Sequence, residues 1–291
     1  MEDQANEFYE KNGTKYPVGC TEVLDKGFVR LVDVMGDDSS IVQAARVSYG
    51  KGTKHVNEDR GLIRYLMRHL HTTPFEMVEF KFHCRMPIFV ARQWIRHRTA
   101  NVNEYSGRYS EMPDLFYVPE LDKITKQSSN NKQGGTDEVV DHVLSTQLRF
   151  HNEQRSIFDT YKHYLGTGMR KELARINLPL SAYTEWYWKI DLHNLFHFLK
   201  LRLDSHAQYE IRVFGEAMAE FVKNAVPIAW EAFEDYQLKS IRLSALEIKA
   251  LEKILHNEAI KDFKGNYIDQ YFTNKREKEE FLTKLDKIGC Q

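Results

Sequence analysis

Residues 78–85 alternate strictly. Val78, Phe80, Phe82 and Cys84 are apolar, whereas Glu79, Lys81, His83 and Arg85 are polar or charged. A period of two sends successive side chains to opposite faces, so this run is a strand with one buried face. Such a strand needs partners beside it and a covering layer on its apolar side. Pro87 closes the alternation and suits the first turn of a helix from Ile88 to about Ile95. Cys84 falls on the apolar face and reads as a buried structural thiol.

The flanking segments supply partners and cover. Phe28–Val34 is short and rich in Val, which predicts a second strand. Ser39 or Ser40 can cap a helix through Ala45, and Asn57 opens another, with Leu62, Ile63 and Leu66 as its apolar face. Tyr183–Ile190, rich in Thr, Tyr and Trp, predicts a further strand, and Leu115–Val118 a short one. Thr136 is read as the cap of a long helix to about Tyr164, ended by Gly166 and Gly168. Asp191 can cap the next helix, through Leu203, and another follows over 207–224. A few strands among many helices, without strict βαβ order, predict an α+β fold. Residues 1–25 read as a partly loose extension, 126–135 as a flexible insertion, 96–114 as a long ordered loop, and 237–291 as a charged helical extension.

Composition excludes several classes. The chain has 291 residues, 41 Lys+Arg against 42 Asp+Glu and a net charge of -1, so it is not a globally basic nucleic-acid binder. Apolar residues make up 42%, enough for a real core. No run approaches the ~18 apolar residues of a membrane helix. The acidic start, Met1 to Gln4, precedes no apolar run, so no signal or transit peptide is expected. Cys20, Cys84 and Cys290 are far apart and form no CxxC, which argues against a disulfide framework or cysteine zinc site and for a reducing cytoplasm.

The densest polar cluster is Arg92-Gln93-Trp94-Ile95-Arg96-His97-Arg98, leading into Asn101, Asn103, Glu104, Ser106 and Arg108. A helix sets Arg92 and Arg96 on one face. The planar guanidinium forks of arginine match phosphate with paired hydrogen bonds, and Glu104 could accept from a sugar hydroxyl or a base N–H. From spacing alone the cluster fits either a nucleotide-phosphate site or a solvated charge run. His193 and His197 stand four apart, as two metal ligands on a helix would, but residue 194 is Asn rather than the Glu of a zinc protease motif. No metal is expected there. GxGxxG, GxxxxGK[ST] and GxSxG are all absent, and Ser106 with His97 is only an isolated pair.

The stretch Arg96-His97-Arg98-Thr99-Ala100-Asn101-Val102-Asn103-Glu104-Tyr105-Ser106-Gly107-Arg108 resembles the signature of the flavin-dependent thymidylate synthase (ThyX) family. It departs at one fixed position, where Asn101 replaces the usual Ser. Gly27–Gly36, Ala44–Ser48, His71–Glu76, Pro87–Trp94, Ala174–Ile176 and Leu201–Gln208 are also similar to that family, giving coverage of roughly residues 26–236. The resemblance implies an antiparallel-rich sheet packed with helices and a homotetramer with sites at subunit contacts. It implies reductive methylation of dUMP to dTMP, with methylenetetrahydrofolate as one-carbon donor and NADPH as reductant through FAD. By the same matching, Gln93, Trp94, Ile95, Arg96, Glu104, Tyr105, Ser106, Gly107, Arg108, Arg175 and Arg202 would contact dUMP. Thr73, Arg96, His97, Arg98, Glu104, Asp191, His193 and His197 would line FAD, with His71 near the flavin and folate. Arg202 is the expected catalytic residue, since a guanidinium beside N3 of uracil would stabilise its anion and enrich C5 in electrons. No Pro-Cys occurs, so a thiol nucleophile is not expected. A nucleic-acid module stacking bases on Trp94, Tyr105 and Tyr109, and an inactive flavin or nucleotide sensor, are the rival readings.

Overall fold

The computed structural model describes residues 7–47, 56–129, 133–254, 267–272 and 274–287. Residues Met1–Phe233 form one compact unit and Glu234–Gln291 a second. In the first unit the predicted strands pair into one antiparallel sheet. Its order is β3 (Thr21–Val23), β4 (Gly27–Met35), β5 (Glu79–Pro87), β9 (Tyr183–Asp191) and β6 (Asn101–Glu104).

The apolar half of the β5 alternation is buried as its period requires, but the expected solvent face is not: His83 and Arg85 are buried too, His83 against Glu185 and Arg85 under the N-terminal hairpin. Phe80, Phe82, Cys84 and Met86 are fully buried on one face, beside Trp186 and Trp188 of β9. Pro87 has extended backbone and serves as N-cap of α3 (Ile88–Trp94), turning the chain over that face. Two further helices complete the cover: α6 (Leu192–Arg202) and α7 (Tyr209–Ala225). Trp94 sits at the centre, with ring centroids 5.3 Å from Trp186, 5.2 Å from Trp188, 5.1 Å from Phe198 and 5.8 Å from Phe214. Edge-to-face and offset packing of this kind adds to the area buried by each large ring.

Several boundaries differ from the sequence expectation, each for a visible reason. Residues 1–25 are not loose where described. β1 (Phe8–Lys11) and β2 (Thr14–Pro17) form a hairpin, and β3 joins the main sheet. Arg85 fastens the hairpin: Nη1 donates to the Lys15 carbonyl and Nε to the Lys26 carbonyl, both at 2.8 Å. Its guanidinium also lies 5.0 Å from the Tyr16 ring centre and 4.8 Å from that of Phe28. Leu115–Val118 makes only a single bridge, Phe116 to Ala182, because Pro113 and Pro119 bound it and offer no N–H.

Thr136 does not cap a helix. It lies in β8 (Gly135–Val139), paired with β7 (Thr125–Gln127), a position its own β-branched side chain suits, and α4 runs Val143–Gly166. The 126–135 insertion is thus largely a hairpin; its residues 130–132 lie outside the described set, as do Ser48 and Cys290. The cap of α1 (Asp38–Val47) is Asp37, whose Oδ1 accepts from Ser39 N at 2.9 Å and Ser40 N at 3.2 Å. Helix α2 spans Val56–Arg68 and α5 spans Lys171–Ala174.

Asp38 provides a second, longer-range cap. Its carboxylate accepts from Ile228 N at 2.9 Å and Ala229 N at 2.8 Å, at the start of α8 (Pro227–Phe233). The second unit holds α9 (Ala245–Ile254), α10 (Ile268–Tyr271) and α11 (Lys275–Lys287). Ser244 and Glu247 cap α9 reciprocally, Ser244 N donating to Glu247 at 2.6 Å and Glu247 N to Ser244 Oγ at 3.3 Å. Tail residues 255–266 and 288–291 lie outside the described set. Among the described residues no helix is long and apolar enough to cross a membrane.

Candidate active site

Three elements carry the motif: the end of α3, the edge strand β6 and the turn that follows it. Residues 96–114 are not all loop, because Asn101–Glu104 pairs with β9 in register, Asn101 opposite Lys189 and Glu104 opposite Trp186. All four β6 side chains are exposed, so no buried face announces the strand in sequence. Tyr105 N donates to the Glu185 carbonyl at 2.8 Å, which carries the pairing into the turn. The carbonyl of Ser106 accepts from Tyr109 N and Ser110 N, both at 3.1 Å, and closes the turn.

Gly107 is buried at the back of this turn. A Cβ there would lie 2.7 Å from Met112 Sδ and 3.0 Å from Arg175 Cδ. A larger residue would have to displace the Met112 and Arg175 side chains, so glycine lets the turn sit close against Arg175, which begins a single 3₁₀ turn, Arg175–Asn177. The contact joins two segments that only the family resemblance had linked. Arg108 is exposed, with Nε 3.5 Å from the Glu172 carboxylate. Glu104 accepts a hydrogen bond of 2.6 Å from the hydroxyl of Thr184 on β9.

A second group forms where the α3 end meets α6. Arg202 Nη2 lies 3.0 Å from His97 Nε2. The ring centroid of His97 is 5.8 Å from that of His197 and 4.9 Å from that of Phe198. Burial, helped by the nearby charges of Arg202 and His197, holds His97 down to about 4. At neutral pH it is therefore an uncharged acceptor for the arginine N–H. Burial also lowers the Arg202 pKa, and the arginine Nε is buried without a protein partner among the described residues. Gly215 on α7 backs Arg202, for a Cβ there would lie 3.2 Å from Arg202 Cβ.

A third group marks the start of α6. Asp191 caps this helix: Oδ1 accepts from Asn194 N at 2.9 Å and Oδ2 from Asn194 Nδ2 at 2.7 Å. His193 follows on the first turn, half-buried. Thr73 is exposed and opens the turn Thr73–Met77, joined to α6 through Leu192 N and the Val78 carbonyl at 2.8 Å. Among the described residues no hydrogen bond, ion pair or ring contact links the Glu104–Arg108 segment to Arg202, Asp191 or His193, and no group of three or more His, Cys, Asp or Glu could hold a metal.

The flanking side chains divide. Trp94 belongs to the core, so a ligand can meet only its backbone, whereas Ile95 is exposed and Gln93 half-buried. Arg92, Arg96, Arg98 and Arg175 make no side-chain hydrogen bond, ion pair or ring contact among the described residues. Cations left uncompensated by protein groups suit an anion with several oxygens. Thr184, Glu185, Met112, Glu172 and Gly215 carried no signal in the sequence, because strand pairing and the α6–α7 approach are what bring them here.

Known proteins resemble this chain over most of its length. The sequence profile of the family described as Thymidylate synthase complementing protein matches residues 30–228. The flavin-dependent thymidylate synthase of Wolbachia pipientis wMel is 50% identical over 274 residues, covering 91% of this chain and 92% of that protein. The enzyme of the same name from Dictyostelium discoideum is 52% identical, covering 90% and 85%. The one from Gluconobacter oxydans (strain 621H) is 56% identical, covering 82% and 80%. Among solved structures, the UMP/dUMP methylase PolB from Streptomyces cacaoi, bound with 5-Br dUMP, superposes with a TM-score of 0.68 at 32% identity. It covers 76% of this chain and 100% of that one.

Proposed function

The chain belongs to the flavin-dependent thymidylate synthase family, and from that premise we propose that it methylates dUMP to dTMP, with methylenetetrahydrofolate as one-carbon donor and NADPH as reductant. The observation that supports the nucleotide assignment is the set of arginines without protein partners among the described residues: Arg92 in α3, Arg96 and Arg98 just after it, and Arg175 against Gly107 of the Glu104–Arg108 turn. Phosphate is the ligand such forks fit. In this reading Arg96, Arg108 and Arg175 divide the dUMP phosphate, Ser106 and Gly107 offer short donors, and Glu104 accepts from the nucleoside. Gln93, Trp94, Ile95 and Tyr105 complete the dUMP surface, Trp94 through its backbone.

Arg202 faces the base. Its guanidinium, anchored at one corner by His97, stabilises negative charge spreading from N3 to O4 of uracil and so directs electron density to C5. FAD would be held by Thr73, Arg96, His97, Arg98, Glu104, Asp191, His193 and His197, and would supply two-electron transfer between the nicotinamide and the one-carbon unit. Asp191 serves that site mainly by setting the angle of α6, since both its oxygens are engaged by Asn194.

The working form is a cytoplasmic homotetramer, residues 26–236 forming the catalytic domain, preceded by an N-terminal extension and followed by a helical one. The test is direct. Purified protein should take up FAD, turn yellow, and form dTMP only when dUMP, methylenetetrahydrofolate and NADPH are all present. Colourless protein that refuses added FAD and forms no dTMP would refute the reading.

A further inference from the structure

We infer that Thr184 is a positioning residue for the nucleotide site, holding the Glu104 carboxylate so that its second oxygen faces the ligand. The inference rests on the dUMP reading given above. Thr184 lies on β9, is 4% exposed, and directs its hydroxyl to Glu104 Oε1 at 2.6 Å. Glu104 sits opposite Trp186 in the β6–β9 ladder, so Thr184 is its diagonal neighbour on the same face. A hydroxyl has one proton to donate, and a carboxylate only accepts, so the direction of the bond is fixed.

This contact is the one hold on the Glu104 side chain among the described residues. Glu104 is otherwise an exposed side chain with several rotatable bonds at the edge of the sheet. Left unheld it would sample many rotamers, and a ligand would have to order it on binding. The strand supplies two grips on adjacent residues: the Thr184 hydroxyl on the side chain of Glu104, and the Glu185 carbonyl on the backbone N–H of Tyr105 at 2.8 Å. Oε2 stays free to accept from a nucleoside O–H or N–H.

The decisive variant is Thr184→Val, which keeps the β-branched shape a strand favours and deletes the donor. Dissociation constants for dUMP are measured on the FAD-loaded enzyme by calorimetry, alongside melting temperature and the split between KM and kcat. Thr184→Val should weaken dUMP binding roughly three- to tenfold, the cost of ordering one free side chain, and raise KM for dUMP with kcat changed less than about twofold. Thr184→Ser should return both to within about twofold of wild type. In a Glu104→Ala background, Thr184→Val should add nothing, because the hydroxyl acts through that carboxylate. Wild-type affinity in Thr184→Val overturns the inference. So does an equal loss on the Glu104→Ala background, which would make Thr184 merely structural. Should wild type itself fail to bind dUMP, the nucleotide reading falls and the positioning role with it, a result distinct from either.

Discussion

The proposed roles of Arg202 and of the motif arginines differ, one in the chemical step and the others in binding, and kinetics can separate them. Arg96 and Arg108 are exposed, so replacing either with Ala should chiefly weaken dUMP binding. A lost charged hydrogen bond is worth ~1.5–3 kcal/mol, or roughly ten- to a hundredfold in Kd. Arg202→Ala should instead depress the chemical step by about 10²–10³ in single-turnover experiments at saturating dUMP. Arg202→Lys should rescue little, since a point charge cannot keep both the His97 contact and a fork over N3 and O4. A normal methyl-transfer rate in Arg202→Ala would reduce that residue to a binding role. His97 adds a pH signature. In the folded chain its pKa is held down to about 4 from the ordinary 6.5, by burial first and then by the Arg202 and His197 charges. Between those values the unfolded chain binds a proton that the folded chain does not, so stability should rise with pH across this window and fall on acidification. Denaturant melts from about pH 4.5 to 7 should show a shallower slope for His97→Gln than for wild type, and identical slopes would count against a buried neutral imidazole.

Helix ends and strand periods explain which elements could be read in advance. β5 and β9 are long and each carries a continuous apolar face, even though His83 and Arg85 on the other face of β5 are buried too, and α6 opens on an Asp that does cap it, so pattern and cap chemistry sufficed to place all three. The motif segment was equally plain as chemistry, and Val90, Ala91 and Trp94 already share a helix face, which is why that indole points inward. β6 escaped because four exposed residues have no buried face to betray them, and Thr184 and Gly107 acquire their neighbours only through pairing and packing far along the chain. Thr136 misled because a good cap residue is also a good strand residue. The cap at α8 was invisible for the same reason as Thr184: Asp38 and Ala229 are distant in sequence. Its removal is measurable. Asp38→Ala leaves two backbone N–H groups without their acceptor and should cost about 1–3 kcal/mol, with Asp38→Asn losing less because it keeps one oxygen. Equal urea midpoints for Asp38→Ala and wild type would show that this cap contributes nothing.

The first unit joins a large aromatic core to a thin border that holds the candidate nucleotide segment. Around Trp94 the rings of Trp186, Trp188, Phe198 and Phe214 lock β5, β9, α3, α6 and α7 together, and none of them can move without opening voids. The second unit, Glu234–Gln291, is built separately, from short capped helices. The candidate nucleotide segment belongs to neither kind of construction. β6 is the last strand of its sheet, and its ladder partner is β9 alone, through four register pairs from Asn101–Lys189 to Glu104–Trp186. It can therefore peel away while the tryptophan cluster stays shut. Amide hydrogen exchange should report this, with 101–104 exchanging through local opening well ahead of 80–86, and with dUMP slowing the former selectively. Equal protection of both strands in the ligand-free protein would contradict it. With the nucleotide site on this edge, such opening would act as a fuse: mild heat or denaturant should silence catalysis first, in a molecule whose far-UV spectrum and compactness still look native, and cooling would re-zip four residues rather than refold a domain.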